Sequence, residues 1–586
     1  MSRNDEVAAL FEEFADLLEA QDVSYKPQTY RRAAENIREF GQPIEAVAAE
    51  GESALAEIDG VGDAISSKIV EYFEVGAIEE LEEARADLPV EMAALTRVEG
   101  VGPKTVGRLY EALGVETLDD LETAASEGKI REVKGFGAKT EENILENIPF
   151  AREARERSLL GEARPVADDL LAFLSGYEVV AEASVAGSIR RWRETIGDVD
   201  VLVASEDAER VVAAFTDWED ATTVIESGTS KASVRVDGLR VDLRVVVPGE
   251  YGAALQYFTG SKEHNVTLRN RAIARGLKMN EYGVFDVSDV EEPDAGQRVG
   301  ERIAGRTEEE MYAVLDLAWM PPELREDTGE VEAAAADDLP APVTTDEVRG
   351  DLHTHTDWSD GRATLDEMLA GAVERGYDYY AVTDHATGPG MVGGVGLSDE
   401  ELAEQASVVA EAAASVEAEI EVFHGVEANI DAEGELSVGD DLLGRLDIVV
   451  ASPHAALDQG REEATDRLVR AVEHPAVDVL GHPSGRLLNR RAGLELDRER
   501  IAAAAAAAGT ALEVNANPHR LDLSGTGVRA AVDAGAVVVV NTDAHAPSEL
   551  DYVRYGVHTA RRGWAESADV LNTWRAADVR SFVDDE

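Results

Sequence analysis

Two sets of side chains in this 586-residue sequence have the types and spacing to do chemistry on phosphorus. The first is Asp198, Asp200 and Asp242. Asp198 and Asp200 head the Val-rich run DVDVLVA, so on a strand they project from one face with Cα atoms about 6–7 Å apart. Asp242 follows 42 residues later in Arg240-Val-Asp-Leu-Arg244, where a neighbouring strand could bring it alongside. Three converging carboxylates can hold two divalent cations about 3.5–4 Å apart, a pair that activates an attacking hydroxyl and neutralises a leaving pyrophosphate. Ser188, Arg190 and Arg191, in Gly187-Ser-Ile-Arg-Arg191, would meet a triphosphate. An isolated Asp-x-Asp says little where 119 of 586 residues are acidic. Asp242 says more, because a carboxylate inside an apolar strand needs a partner or a metal.

The second set is histidine-rich. Ten of the eleven histidines lie at or after position 353, most at the ends of apolar segments. His353 and His355 close the first such segment and Asp360 follows in a loop. His385 ends the second, Glu427 the third, His454 the fourth and His482 the fifth, while Asp543 and His545 end the seventh. Nitrogen and oxygen ligands without sulfur suit two or three Mn, Zn or Fe ions better than Ca, and such ions activate water for attack on a phosphodiester or phosphomonoester. His474, His519 and His558 fit no such slot and read as structural. His264 reads as a DNA or structural contact.

These donors need elements to position them. From residue 349 on, strand-like segments (RGDLHTH, YYAVTDH, IEVFHGVE, LDIVVASPH, VDVLGHP, ALEVNA, VVVVNTDAH) alternate with Ala-rich helical ones, the rhythm of a βα barrel whose strand ends converge on one mouth. Residues 166–250 read as strands of an α+β domain. Residues 1–150 read as short helices joined by a repeated turn, Ile58-Asp-Gly-Val-Gly62, Val98-Glu-Gly-Val-Gly102 and Val133-Lys-Gly-Phe-Gly137, whose starts lie 40 and 35 residues apart. Paired glycines (Gly60 and Gly62, Gly100 and Gly102, Gly135 and Gly137) let the following helix present bare N–H groups to a phosphate, with Lys68, Lys104 and Lys139 close behind. The stretch 323–347 is acidic and lacks an apolar period, so it reads as a tether.

Composition narrows the classes. No cysteine is present, which excludes a disulfide scaffold, a Cys-ligated zinc ribbon and a thiol nucleophile. With 54 Lys plus Arg against 119 Asp plus Glu, the formal charge is −65, unusual for a nucleic-acid partner. The acids are spread along helices rather than gathered in a tail, and only nine cations are lysines, all before residue 279. This pattern reads as adaptation to molar intracellular salt, as in a halophilic archaeon, where screening makes an acidic surface tolerable. No apolar run approaches the roughly 18 residues of a spanning helix, so the expectation is a cytoplasmic monomer without membrane contact.

At this point a resemblance is plain. Residues 1 to about 320 resemble a family X DNA polymerase similar to polymerase beta, through Gly187-Ser-x-Arg-Arg191, Gly197-Asp-x-Asp200, Asp242 and Tyr257-Phe-Thr-Gly-Ser261. The resemblance implies that Asp198 and Asp200 bind two Mg2+ or Mn2+ ions and that Asp242 binds the catalytic one. By the same likeness, Gly187, Ser188, Arg191, Tyr257, Phe258, Gly260 and Asn265 bind the deoxynucleoside triphosphate. Arg240 and Arg269 contact gapped or primer-template DNA, and the glycine turns resemble helix-hairpin-helix motifs. Lys68 falls where the family carries a Schiff-base lysine for 5′-deoxyribose phosphate removal, with Lys26 and Tyr30 at supporting positions. An acidic Asp63 beside it would keep the amine protonated, which favours a phosphate contact.

Residues 349 to about 575 resemble the polymerase and histidinol phosphatase (PHP) domain, and the two halves together resemble the bacterial and archaeal polymerase type that ends in one. Asn515, Asn517 and Arg520 resemble its sixth-strand segment and would position a phosphate. The implied organisation is multi-domain: a lyase-like helical domain over 1–90 and a helical DNA-binding subdomain with two hairpins over 91–150. A nucleotidyltransferase palm over 151–260 and a thumb-like nucleotide-selection subdomain over 261–322 follow, then an acidic linker over 323–348 and a distorted α/β PHP barrel of about seven βα units over 349–586. The implied activities are gap filling and 3′-to-5′ trimming of DNA. The rival reading is a histidinol-phosphatase-type enzyme fused to an inactive polymerase-like module.

Overall fold

Apolar residues at helical spacing in the first 150 positions fold as helices, among them Arg3–Ala20, Lys26–Glu39, Asp63–Val75, Pro103–Leu113 and Ala138–Glu156. They share one core that includes Phe11, Phe14, Ile37, Ile69, Leu109 and Ile144. A computed structural model describes residues 3–23, 25–39, 44–56, 58, 60–98, 100–293, 295–388 and 395–584. Two units divide the chain, Met1–Ser158 with Asn489–Ala492, and Leu159–Leu488 with Gly493–Glu586.

In the first unit, Gly60, Gly100 and Gly135 take φ of 72°, 80° and 95°, a region open to glycine and costly for other residues. The helices that follow begin after Gly62, Gly102 and Gly137 with no side-chain cap, so their first-turn N–H groups have no side-chain partner. Asp59 and Glu99, inside two of these turns, lie outside the described residues. Arg108 donates to the Lys134 carbonyl at 2.7 Å and covers the Phe136 ring, tying the second hairpin helix to the third turn.

The second unit opens with a five-stranded sheet built from β1 (Glu182–Val185), β2 (Val199–Ala204), β3 (Thr223–Ser227), β4 (Lys231–Val236) and β5 (Leu239–Val246) in the order β1-β2-β5-β4-β3. β5 buries Leu239, Val241, Leu243 and Val245 and turns Arg240, Asp242 and Arg244 to the other face. The apolar run around Asp242 predicts apolar surroundings for it. The strand's period of two instead puts it on the polar face, between two arginines. Behind the sheet, Val201, Val203 and Phe215 pack with Leu170 from the helix Leu160–Ser175. The helices Tyr251–Thr259 and Lys262–Ile273 then lead to a small sheet of β6 (Leu277–Asn280), β7 (Gly283–Asp286) and β8 (Glu301–Ala304).

The expected tether over 323–347 is corrected: this segment is packed. It contains a helix, Glu330–Ala336, and buries Glu323, Leu324, Arg325, Glu330, Val331 and Val343. Its acids are paired, which is why a missing apolar period misled. Glu330 accepts from His264 Nδ1 at 2.5 Å, and Glu323 accepts from His558 at 2.6 Å and Arg561 at 2.7 Å. His264 and His558 are therefore structural.

Beyond it, β9 (Gly350–Asp351), β10 (Tyr379–Val382), β11 (Glu421–Asn429), β12 (Ile448–Ser452), β13 (Val479–Leu480), β14 (Ala511–Asn515) and β15 (Val538–Asn541) form one seven-stranded sheet in chain order. Neighbouring strands are parallel. The strands are apolar on both faces because helices cover the outside. A parallel bridge between Thr354 and Ala544 joins the first and last strand ends, with His355 N donating to Ala544 O at 2.9 Å and Asp543 N to His353 O at 3.1 Å. The sheet is thus a nearly closed barrel. Among the described residues no helix is long and apolar enough to cross a membrane.

Glu308 anchors the polymerase-like half. It accepts from both terminal nitrogens of Arg190 at 2.8 Å and pairs with the fully buried Arg325. Glu308→Ala would leave two cations without their carboxylate and is expected to cost this unit roughly 3–5 kcal/mol, read as an earlier chemical-denaturation midpoint.

Candidate functional site

The parallel pairing of β2 with β5 places Asp200 directly opposite Asp242, and Asp198 precedes β2 by one residue. One oxygen from each of the three carboxylates falls within 4.8 Å of the others. Gly187 makes the approach possible: its φ is +59°, and a Cβ there would lie 2.2 Å from an Asp200 oxygen. Burial, then the Asp198 and Asp242 charges, push the Asp200 carboxyl up to about 7. Three carboxylates converging to this distance form a donor set that fits a divalent pair.

A cleft of about 280 Å³ opens beside them, lined by Asp200, Asp242, Arg240, Arg244, Lys231 and Phe258 among others. Arg240 holds Asp242 through Nε at 2.9 and 3.1 Å, which differs from the expected DNA contact. Arg244 lies 4.3 Å over the Phe258 ring and, like Lys231, was missed; both stand on the polar side of strands whose apolar side dominated the pattern. Tyr257 meets Phe258 edge-on at 5.1 Å.

Other expected nucleotide contacts are engaged within the protein. Arg190 is engaged by Glu308 and by the Thr259 hydroxyl at 2.7 Å, which differs from the expected triphosphate contact. Arg191 donates to the Thr259 carbonyl at 2.7 Å and to Glu326 at 3.0 Å. Asn265 donates to the carbonyls of Tyr257 and Gly260 at 2.8 and 3.2 Å and accepts from Gln256. It braces the turn through Gly260 rather than facing the cleft. Ser188 sits in the short helix Gly187–Arg190, and Arg269 is exposed on Lys262–Ile273.

In the first unit, Lys104 and Lys139 are exposed at the second position of their helices, beside the uncapped N–H groups. Lys68 differs. It is buried and its ammonium lies 2.9 Å from Glu80. Burial alone would lower its pKa; the Glu80 and Tyr30 oxygens outweigh that and raise it. The partner is Glu80, twelve residues on, and not the adjacent Asp63, and neither a phosphate contact nor a neutral amine matches this placement.

The barrel mouth gathers all nine expected donors around Glu427. Its Oε2 lies 2.7 Å from His385 Nδ1, 3.5 Å from His353 Nε2 and 3.6 Å from His355 Nε2. Its Oε1 lies 2.9 Å from His482 Nε2 and 3.3 Å from His454 Nε2. Asp543 Oδ1 stands 3.1 Å from His355 Nε2, and Asp360 stands 3.3 Å from His545 and 3.5 Å from His385. Burial opposes charge on Glu427, yet His385, His454 and His353 hold its pKa well below the ordinary value. Burial also works against imidazolium, but His385, facing Glu427 and Asp360, is pushed up to about 10, whereas burial takes His454 down to about 4.

Partners behind the mouth fix the rings. His353 Nδ1 donates to Glu513 at 2.7 Å, His454 Nδ1 to Asn429 at 2.6 Å and His545 Nδ1 to the Asp543 carbonyl at 2.8 Å, leaving each Nε2 facing the centre. Asp384 accepts from Thr356, Ser359 and Gln405, which holds the loop carrying Asp360. Asn515 and Arg520 reach Asp543, at 3.0 and 3.5 Å. Buried His355 Nδ1, His385 Nδ1, His482 Nδ1 and Glu427 Oε2 have no hydrogen-bond partner. The 2.7 Å contact of His385 with Glu427 is therefore a convergence of two atoms on a shared point, not an aligned hydrogen bond. This donor set fits divalent metal ions. Glu513 was missed, although an acid inside the apolar run ALEVNA was a visible signal.

The helix-hairpin-helix domain pattern matches residues 2–78 and a tandem helix-hairpin-helix pattern 92–148, while the DNA polymerase beta thumb matches 254–326 and the PHP domain 351–517. Across the whole length, the chain is 34% identical over 582 residues to the DNA polymerase/3′-5′ exonuclease PolX of Bacillus subtilis (strain 168), covering 99% of both. A protein of Shewanella sp. (strain MR-4) named a probable phosphatase is 30% identical over 226 residues, 34% of this chain and 77% of that protein. Another so named, from Caldanaerobacter subterraneus, is 32% identical over 207 residues, 33% and 75% of the two chains.

Two measurements test the geometry. The raised Asp200 pKa means that its contribution to stability is present below the ordinary carboxyl value of 3.8 and is lost as pH rises through about 7. Asp200→Asn is therefore expected to raise the melting temperature of metal-free protein at pH 8 but not at pH 4, and to abolish stabilisation by added Mn2+. Glu427→Gln is expected to weaken metal retention by about 100-fold or more, measured by elemental analysis after dialysis against graded chelator.

Proposed function

The chain belongs to the family of DNA polymerase/3′-5′ exonucleases called PolX, and from that premise we propose a gap-filling repair polymerase joined to a metal-dependent PHP 3′-5′ exonuclease. The observation that carries this reading is the presence of two separate donor sets, three carboxylates on one sheet and nine donors at one barrel mouth, in a chain matched end to end by such a relative. The histidinol-phosphatase rival is not favoured, since its phosphatase-named relatives cover about a third of the chain.

In the polymerase half, Asp198, Asp200 and Asp242 would hold two Mg2+ or Mn2+ ions, which when bound supply acidity to a primer 3′-hydroxyl and neutralise pyrophosphate. Asp242 would accept the hydroxyl's proton once Arg240 yields its grip. Arg191 would exchange its Thr259 carbonyl for a phosphate oxygen, and Tyr257 with Phe258 would crowd a ribose 2′-hydroxyl. The uncapped helix starts beside Lys104 and Lys139 support backbone contacts to DNA that carry no sequence information.

At the barrel mouth, His353, His355, Asp360, His385, Glu427, His454, His482, Asp543 and His545 would hold two or three Mn2+, Zn2+ or Fe2+ ions, which when bound activate water toward a phosphodiester. Arg520 would steady the scissile phosphate. Glu80 argues against lyase chemistry at Lys68. An acid-rich surface, cytoplasmic location and monomeric state complete the reading.

Paired substitutions separate the halves. Asp198→Ala with Asp200→Ala is expected to lower nucleotide addition on gapped DNA by at least about 1,000-fold while 3′ trimming continues, and His353→Ala with His355→Ala to do the reverse. Loss of both activities in either folded variant would overturn the division of labour.

A further inference from the structure

The loop from Arg191 to Gly197 carries a candidate phosphate-binding arginine at one end and leads into Asp198 at the other. Barrel residues hold it at three of its first four positions. Arg562 Nη1 donates to the Arg191 carbonyl at 2.9 Å and to Glu326 at 3.1 Å, and the same Glu326 oxygen accepts from Arg191 Nε at 3.0 Å. The His558 ring lies flat on the Trp192 indole, 3.6 Å between centroids and 6° between planes, while Arg164 packs over the same indole at 4.5 Å. Arg486 pairs with Glu194 at 2.9 Å. Trp192 itself is buried with φ of +52°, a conformation that costs a bulky residue of order 1–3 kcal/mol and persists only where its surroundings over-determine it.

These contacts do more than glue two domains. Arg562 touches the backbone of Arg191 and Glu326 its guanidinium, so together they fix where that side chain is held. His558 and Arg562 share the helix Val553–Arg562, so one rigid element of the barrel fixes two consecutive residues of the palm. The two contacts are unlike in kind, a charge-assisted hydrogen bond and a ring stack, and they converge on the same short loop.

We infer that the barrel helix Val553–Arg562 is a positioning element for nucleotidyl transfer, with Arg562 aligning Arg191 toward the triphosphate and His558 fixing the loop that leads to Asp198. Resting on the polymerase reading above, it makes the exonuclease barrel a working part of the polymerase site, independent of the barrel's own metal chemistry. Neither Arg562 nor His558 belongs to the donor set around Glu427.

The test uses the full-length protein. Arg562→Ala is expected to raise KM for the incoming deoxynucleotide about tenfold with a smaller change in kcat, the signature of a binding contact, while 3′ trimming stays within about twofold. Arg562→Lys, which keeps the charge but not the planar guanidinium whose Nη1 meets both the Arg191 carbonyl and Glu326, should recover part of the loss. His558→Ala should shift tryptophan emission, and the shift should vanish in a Trp192→Phe background. Unchanged KM and kcat in a folded Arg562→Ala protein would overturn the inference. So would a parallel fall of both activities with the melting temperature, which marks mere domain glue. A wild-type chain that adds no nucleotide under the same conditions would instead sink the polymerase reading on which this rests.

Discussion

A carboxylate with no exposed surface, Glu427, lies within 3.6 Å of nitrogens on five histidines. That is more than one negative charge can satisfy and more imidazoles than can be protonated together in a low-dielectric site. The opposite displacements of His385 and His454 express this conflict. Cations shared among the donors resolve it, and the arrangement around Glu427 is organised to present lone pairs to them. Glu513, Asn429 and the Asp543 carbonyl take the outer ring protons, and the bridge at the barrel seam is made by the backbones of residues next to or within the ligand set. Barrel closure and donor convergence are thus one structural event.

The polymerase-like half meets the same physical problem with different means. Its three carboxylates sit on an open strand face, partly hydrated and flanked by Arg240 and Arg244, so repulsion is moderated by neighbouring cations and by protonation of Asp200. Close approach is secured by the missing side chain of Gly187. A shallow, arginine-flanked site can exchange ions and substrates readily, whereas the barrel mouth buries most of its donors and fixes the rings of His353, His454 and His545. The contrast suits one site that must admit a large double-stranded substrate and another that trims a single end.

Between these sites runs a chain of charges in which Glu323 and Glu326 draw partners from the barrel while Glu308 and Glu330 are paired within the polymerase-like half. Glu308, Glu323, Glu326 and Glu330 lie on or next to the segment that leaves the thumb, and each is matched by arginine or histidine from the palm, the thumb or the barrel. Lone surface ion pairs contribute little. Buried and bidentate ones are costly to break and restrict the geometry in which the halves can meet. The shared core reinforces this, since Leu521 and Tyr555 of the barrel pack among the palm's apolar residues.

The sequence by itself determined the strand-end donors, the Asp-x-Asp with its third carboxylate, the three glycine turns and the seven strand segments of the barrel, because strand and turn periodicities are local and place side chains on faces without reference to the rest of the chain. It misplaced what depends on distant partners. The segment after Pro322 looked like a tether because its acids carry no apolar period, and only folding brought His264, His558 and Arg561 to them. Lys68 was judged by its neighbour in sequence, while its partner Glu80 lies on the next helix. The acid Glu513 stands out locally inside ALEVNA, but its partner His353 lies 160 residues away, and no local pattern pairs the two. Which charges are paired, and hence which are free to meet a substrate, was decided by tertiary structure, because burial sets the strength of a charge and only the whole fold sets burial.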